Sequence, residues 1–192
     1  MPSIDEDAKR WQLELSERVG RAIQAARKAS GWTAAELSRR TVDLGYPISR
    51  VAISKIESNS RAGKLDLGEL LVLAAALNTS PATLVFPGPY NEKVAVVPGR
   101  PIHGFNAVQW FSALEWLGAL VVHDGRTYKR TALDARADWD TTTREITLWR
   151  ELAELERSQG AVISRGGSNQ ELDFYGDQIR AMRRQLGLDG DA

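Results

Sequence analysis

The sequence predicts a mainly all-α protein. A compact five-helix region comes first, and a mostly helical C-terminal region follows that can include a short strand or hairpin. Three observations carry this. Apolar residues recur at helical spacing through residues 9–87, each run opening on a capping residue or closing on a stop. Four prolines and three glycines then crowd into residues 87–104 around the strand-like run "KVAVV". The tail returns to leucine spacings of three and four.

The first helix is expected from about Lys9 to Ala29, with Leu13, Val19, Ile23 and Ala26 near one face and Gly31 as its stop. Thr33 then caps "TAAELSRRTVDLG", and Glu36 three residues on completes a capping box. Gly45 and Pro47 close that helix, and Ser49 caps the next, "ISRVAISKIESN". In "LDLGELLVLAAALN", Leu67, Leu70, Leu71, Ala74 and Leu77 are assigned to one buried face, ending at Asn78. Ser80 and Pro81 open a short fifth helix. Leu37, Leu44, Val19, Ile23, Ile53 and Ile56 are expected in the core.

Beyond it, residues 88–104 read as a linker and residues 1–8 as a disordered N-terminus. "FNAVQWFSALEWLGALVV" resumes helical spacing, with Val108, Phe111, Leu114 and Leu117 on one side. The Asp-Gly pair in "HDGRTYKR" either closes a hairpin or ends that helix. In "TTTREITLWRELAELERSQ", Leu148, Leu152 and Leu155 mark a further helix. Leu172, Tyr175, Ile179, Met182 and Leu186 mark the last, spaced 3, 4, 3 and 4 as a two-heptad seam. "QGAVISRGGSNQ" between them reads as a turn or loop.

The chain has 192 residues, 43% hydrophobic and 26% charged, enough for one large or two small domains with a real core. No segment approaches the run of about 20 apolar residues that spans a membrane, and the acidic start is unlike a signal peptide, so a cytoplasmic protein is expected. Without cysteine there are no disulfides, thiolate metal sites or thiol nucleophiles. His103 and His123 are too few and too isolated for a metal centre, no phosphate loop or nucleophile motif is present, and neither enzyme nor cofactor is expected. Glu151, Glu154 and Glu156 lie among regular cations and read as a solvated helix face. Of the six tryptophans, Trp110, Trp116, Trp139 and Trp149 read as packing or interface residues and Trp32 as a core aromatic.

The net charge of zero hides an asymmetry. Residues 9–64 hold twelve Lys and Arg against five acids, a surplus of seven positive charges. Residues 134–192 hold eight Arg against twelve acids, a deficit of four. A basic first third joined to an acidic last third points to a polyanion-binding module attached to something else.

The run from Ile48 to Lys64 shows where a polyanion would sit. Ile48, Ile53 and Ile56 form a narrow apolar stripe, and the opposite face presents Arg50, Val51, Ser54, Lys55 and Ser58. A slim, donor-rich helix of this kind fits the major groove.

The segments "ARKASGWTAAELSRR", "ISRVAISKIESN" and "LDLGELLVLAAALNTSPATLVF" resemble the XRE (Cro and CI-type) helix-turn-helix regulators of phages and bacteria, over about residues 14–87. Two departures stand out. Ala34 occupies a position where the family often has a phosphate-binding Gln, and "TVDLGYPIS" lengthens the link between the second and third helices. The resemblance implies a lambda-repressor-like fold in which helix 49–58 reads double-stranded DNA. Arg50, Val51, Ser54 and Lys55 would then face bases. Thr33, Ser49, Asn59, Arg61 and Lys64 would face phosphate, with Asn59 able to serve either role. Arg27 and Glu57 match the family's internal ion pair.

The functional expectation is a sequence-specific transcriptional repressor similar to temperate-phage immunity repressors, dimerising through the face from Leu172 to Leu186. The alternative is an antitoxin-like component whose C-terminal half binds a protein while its DNA domain serves autoregulation. The operator and any small-molecule effector are not legible.

Overall fold

A computed structural model of the chain describes residues 6–118 and 132–189. The chain divides into two compact units, residues 1–115 and 116–192.

In the first unit, α1 spans Glu6–Ala29, beginning three residues earlier than the sequence suggests. Its first turn holds Glu6 and Asp7 and its last Arg27 and Lys28, a placement that complements the helix dipole. Helices α2 (Ala34–Asp43), α3 (Arg50–Glu57), α4 (Leu67–Ala76) and α5 (Pro81–Val85) follow. Each opens on a side-chain cap: Thr33, Ser49, Asp66 and Ser80 accept from backbone amides inside the first turn. Thr33 and Glu36 form the complete capping box, with the Thr33 amide donating to Glu36 Oε2 at 2.6 Å. That bond, with a second from the Thr33 hydroxyl, holds the Glu36 carboxyl below its usual range.

Val19, Ile23, Leu37, Ile53 and Leu73 are fully buried and define the core where α1, α2, α3 and α4 meet. Two core expectations are corrected. Leu44 is 51% exposed, because it forms the C-cap of α2 and leaves the helix before its side chain can turn inward. The buried stripe of α4 is Leu70, Leu73, Ala74 and Leu77, while Leu67 and Leu71 stand in solvent. Leu71 lies about 100° round the helix from Leu70, beyond a stripe of ordinary width, and Leu67 occupies the first turn past the core's edge.

Residues 88–104, expected as a linker, form a β-hairpin. Strands β1 (Lys93–Val97) and β2 (Arg100–His103) pair antiparallel, with Val97 opposite Arg100 and an irregularity between Ala95 and Val97. Pro98 and Gly99 close the two-residue turn, Gly99 at φ +71°, the left-handed position that such a turn gives to glycine. The hairpin is tied to the helices: Trp11 Nε1 donates to the Ala95 carbonyl at 3.2 Å and Val96 is buried. Helix α6 (Gly104–Phe111) continues from it, and Phe111 meets Phe86 edge-on at 5.7 Å. This helix is shorter than the expected 105–122. Ser112 caps it and Ala113 takes φ +54°, reversing the chain. Residues 119–122, the "HDGRTYKR" turn and His123 lie outside the described residues, as do residues 1–5 of the expected disordered N-terminus.

Between α3 and α4 the chain takes left-handed φ at Asn59 (+51°), Ala62 (+53°) and Gly63 (+82°). Alanine in that region costs about 1–2 kcal/mol. Ala62→Gly is therefore expected to raise stability by about 0.5–1 kcal/mol, part of the relief being offset by glycine's greater freedom when unfolded. A thermal melt showing no rise would mean that the loop relaxes this strain by other means.

The second unit contains α7 (Ala132–Ser164) and α8 (Asn169–Gln185), packed as a helical hairpin. Helix α7 continues through "QGAVIS", expected as loop, because Val162 is buried as part of the same stripe as Leu152. The turn shrinks to Arg165–Ser168, with Gly166 at φ +69° and a Ser168–Glu171 capping box restarting the helix. At 1.5 Å per residue, α7 is about 50 Å long and α8 about 26 Å, so α8 covers roughly half of it. Among the described residues no helix is long and apolar enough to cross a membrane.

Candidate nucleic-acid interface

Helix α3 has two faces of opposite character. Ile53 and Ile56 are buried, and Arg50, Val51, Ser54 and Lys55 are exposed. Ser49 fixes its start, the hydroxyl accepting from the Ala52 amide at 3.1 Å. The link from α2 is clasped by side chains that the sequence reading did not single out. The Ile48 amide donates to Thr41 Oγ1 at 2.9 Å, Thr41 Oγ1 donates to the Ser38 carbonyl at 2.7 Å, and Ser38 Oγ donates to the Ile48 carbonyl at 2.7 Å. Thr41 is fully buried. A threonine four residues after Leu37, on the core side of α2, was the available signal. Six residues, Leu44–Ser49, connect the helices, so the longer link is a larger loop rather than an extended α2.

The far end of α3 is held by α1. Arg27 donates from Nε to Glu57 Oε1 and from Nη2 to Glu57 Oε2, both at 2.7 Å, while Nη1 donates to the Trp32 carbonyl at 2.6 Å. Both side chains are nearly buried, and the Glu57 bond raises the pKa of the Arg27 guanidinium further. About two helical turns earlier on α1, Gly20 lies against the backbone of α3: a Cβ there would meet the Ile56 carbonyl oxygen at 2.3 Å. A glycine inside a long helix was its only sequence signal.

The helix-turn-helix family model matches residues 23–84, which begin inside α1 and end in α5. These residues are an XRE-type helix-turn-helix domain. No curated protein matches the chain, and no solved structure matches it. The helix-turn-helix domain points to sequence-specific DNA binding and transcriptional regulation, and no catalytic family is found alongside it.

Within the helix-turn-helix domain the candidate phosphate contacts differ in their surroundings. Lys64 is exposed, and among the described residues Arg50, Lys55 and Lys64 form no ion pair. Arg61 is ion-paired with Glu69, both side chains largely covered, so it braces the α3–α4 loop against α4. Asn59 donates from Nδ2 to the Leu13 carbonyl at 3.1 Å, tying the same loop to α1. The Thr33 hydroxyl is engaged by Glu36 within the capping box. Arg40 stacks over the Trp32 ring at 3.6 Å, which orients an exposed cation near the start of α2. In the second unit, Leu172, Tyr175, Ile179, Met182 and Leu186 are all half-buried, the seam being covered in part by α7 of the same chain.

Proposed function

We propose that the chain is a transcriptional repressor that reads an operator with α3. The observation that carries this reading is the division of α3 into a buried isoleucine stripe and an exposed face of two unpaired cations, Val51 and Ser54. Arg50 or Lys55 donates to guanine O6 and N7, and Val51 packs on a thymine methyl. Lys64, with the hydroxyl of Ser49, holds phosphate and register. Asn59 and Arg61 serve mainly by fixing the loop that carries Lys64, and Thr33 by fixing the start of α2. Repression follows from occupying DNA that polymerase needs, as in phage immunity and lysogeny, and places the protein in the cytoplasm.

The same reading includes a homodimer through the C-terminal helices. The residues of the seam from Leu172 to Leu186 are only partly covered, and Phe174 on α8 and Ile163 on α7 are exposed. Two domains related by a two-fold axis would read half-sites about one helical turn apart, or multiples of it. Those exposed apolar residues also favour the second reading, an antitoxin-like protein whose C-terminal helices hold a different partner.

Selection of sites from random duplex DNA by the full chain, at physiological salt, tests the proposal. An enriched inverted repeat is expected. An asymmetric site would remove the dimer, and no enrichment would remove the repressor. At the selected site, Arg50→Ala is expected to relax preference at one base position by about 1–3 kcal/mol. Lys64→Ala is expected to weaken all sequences alike and make the salt slope shallower by about one unit. Identical behaviour of the two variants would refute the division of roles.

A further inference from the structure

A cleft of about 610 Å³ opens between α1 and the loop that leads from α5 into β1. Its volume falls in the range of small-molecule sites. Ala22 and Ala25 of α1 and Val94 and Ala95 of β1 give it an apolar floor, and Arg18, Arg21 and Lys93 reach into it.

Arg18 distinguishes this cleft from an ordinary surface groove. Its Nε donates to the Val85 carbonyl at 2.9 Å and its guanidinium lies 5.4 Å from the Phe86 ring centre, so the side chain is fixed against the wall. Among the described residues no carboxylate forms an ion pair with it, whereas Arg21 is paired with Glu17 at 2.8 Å. Among the described residues its terminal nitrogens form no hydrogen bond, and burial lowers its pKa despite the nearby charge of Glu14. A half-buried guanidinium with two free donors is a matched receptor for a carboxylate.

The charge of the lining narrows the class. Arg21 is neutralised by Glu17, so Arg18 and Lys93 face Glu14 and Glu92 and the lining is close to neutral. One guanidinium in a near-neutral lining suits a single negative charge and disfavours a ligand that carries several.

The geometry points to a binding site for a small monoanion with an apolar body, its carboxylate on Arg18 and its hydrocarbon portion over Ala22 and Val94. This site is separate from α3 and does not depend on the DNA reading.

The test uses the full chain, labelled with ¹⁵N, and octanoate as the probe. The Trp11 indole N–H donates to Ala95, which lines the cleft, so its resonance reports occupancy. A saturable shift with octanoate is expected, with octanol and citrate each at least tenfold weaker. Arg18→Gln is expected to abolish the shift. Because Arg18 also holds Val85, a second variant, Ala22→Phe, fills the floor while keeping the charge, and it is expected to abolish the shift as well. Absence of a saturable shift in the wild-type chain, octanol equal to octanoate, citrate binding as tightly, or an unchanged titration in a folded Arg18→Gln chain would each overturn the proposal.

Discussion

Gly20→Ala is expected to destabilise the helix-turn-helix domain, although alanine is the better helix former. Helix propensity alone predicts a gain of about 1 kcal/mol for this change inside α1. Tertiary packing predicts the reverse, because the added methyl would lie 2.3 Å from the Ile56 carbonyl oxygen, with the Ile56 carbonyl carbon and Glu57 Cα close behind. Those atoms are backbone and cannot swing aside as a side chain would. To relieve the contact, α1 and α3 must separate, loosening the packing around fully buried Val19, Ile23 and Ile53. Overpacking of this kind costs about 1–3 kcal/mol, and the loss of neighbouring contacts places the expected change at the upper end. Denaturant unfolding followed by circular dichroism decides the matter: a midpoint equal to or above wild type would mean that the helices are not in close contact. Operator affinity should fall with it, since α3 is the element displaced.

Arg27→Ala is expected to have a comparable effect through a different cause. Glu57 sits with its side chain 6% exposed, and Arg27 supplies two of its hydrogen bonds. Removing the cation leaves a carboxylate with only a 3.4 Å bond from Gln24 Nε2. Breaking one side of a buried pair costs about 3–5 kcal/mol, mostly the penalty of the charge left behind. The Trp32 carbonyl also loses its 2.6 Å donor, so the α1–α2 turn loosens together with the end of α3. The double variant Arg27→Met, Glu57→Leu removes both charges and is expected to recover much of the loss. If the single and double variants were equally unstable, packing rather than charge would be the larger contribution of Arg27.

Much of the first unit was legible because its helices announce their ends. Thr33 with Glu36, Ser49, and Ser80 before Pro81 are local signals whose chemistry acts within one turn, and each cap stands where that chemistry requires. The α3 stripe was legible for a similar reason, since Ile53 and Ile56 share a face by helical period. What escaped depends on pairings and helix phases that residue type and spacing do not specify. The run "KVAVV" reads as a strand, but its partner "RPIH" contains a proline and too little alternation to declare itself. Leu44 and Leu71 are as apolar as their buried neighbours, and only the ends and phase of α2 and α4 expose them. The Arg27–Glu57 pair was suggested by resemblance, whereas Arg61–Glu69 and the Ser38–Thr41–Ile48 bonds had no such guide. In the tail the heptad seam was visible, but periodicity cannot say whether its partner is the same chain or another.

The clasp made by Ser38, Thr41 and Ile48 has a consequence for how this domain can change. Two side-chain bonds, Ser38 Oγ to the Ile48 carbonyl and the Ile48 amide to Thr41 Oγ1, join α2 to the residue just before the cap of α3, while the Thr41 hydroxyl is held within α2 by the Ser38 carbonyl. Residues 44–47 are thus a side excursion whose neck is closed by these bonds. Lengthening such a loop costs only about 0.6 kcal/mol per doubling, because the entropy of closing it grows slowly with length. The angle at which α3 leaves the clasp is set at the neck, not by the length of chain beyond it. Leu44 and Tyr46, both exposed on this excursion, can therefore be exchanged, and the segment extended or trimmed, while α3 keeps its seat. The loop is a place where novelty beside α3 can be tried at small structural risk, a modularity built from two hydroxyls.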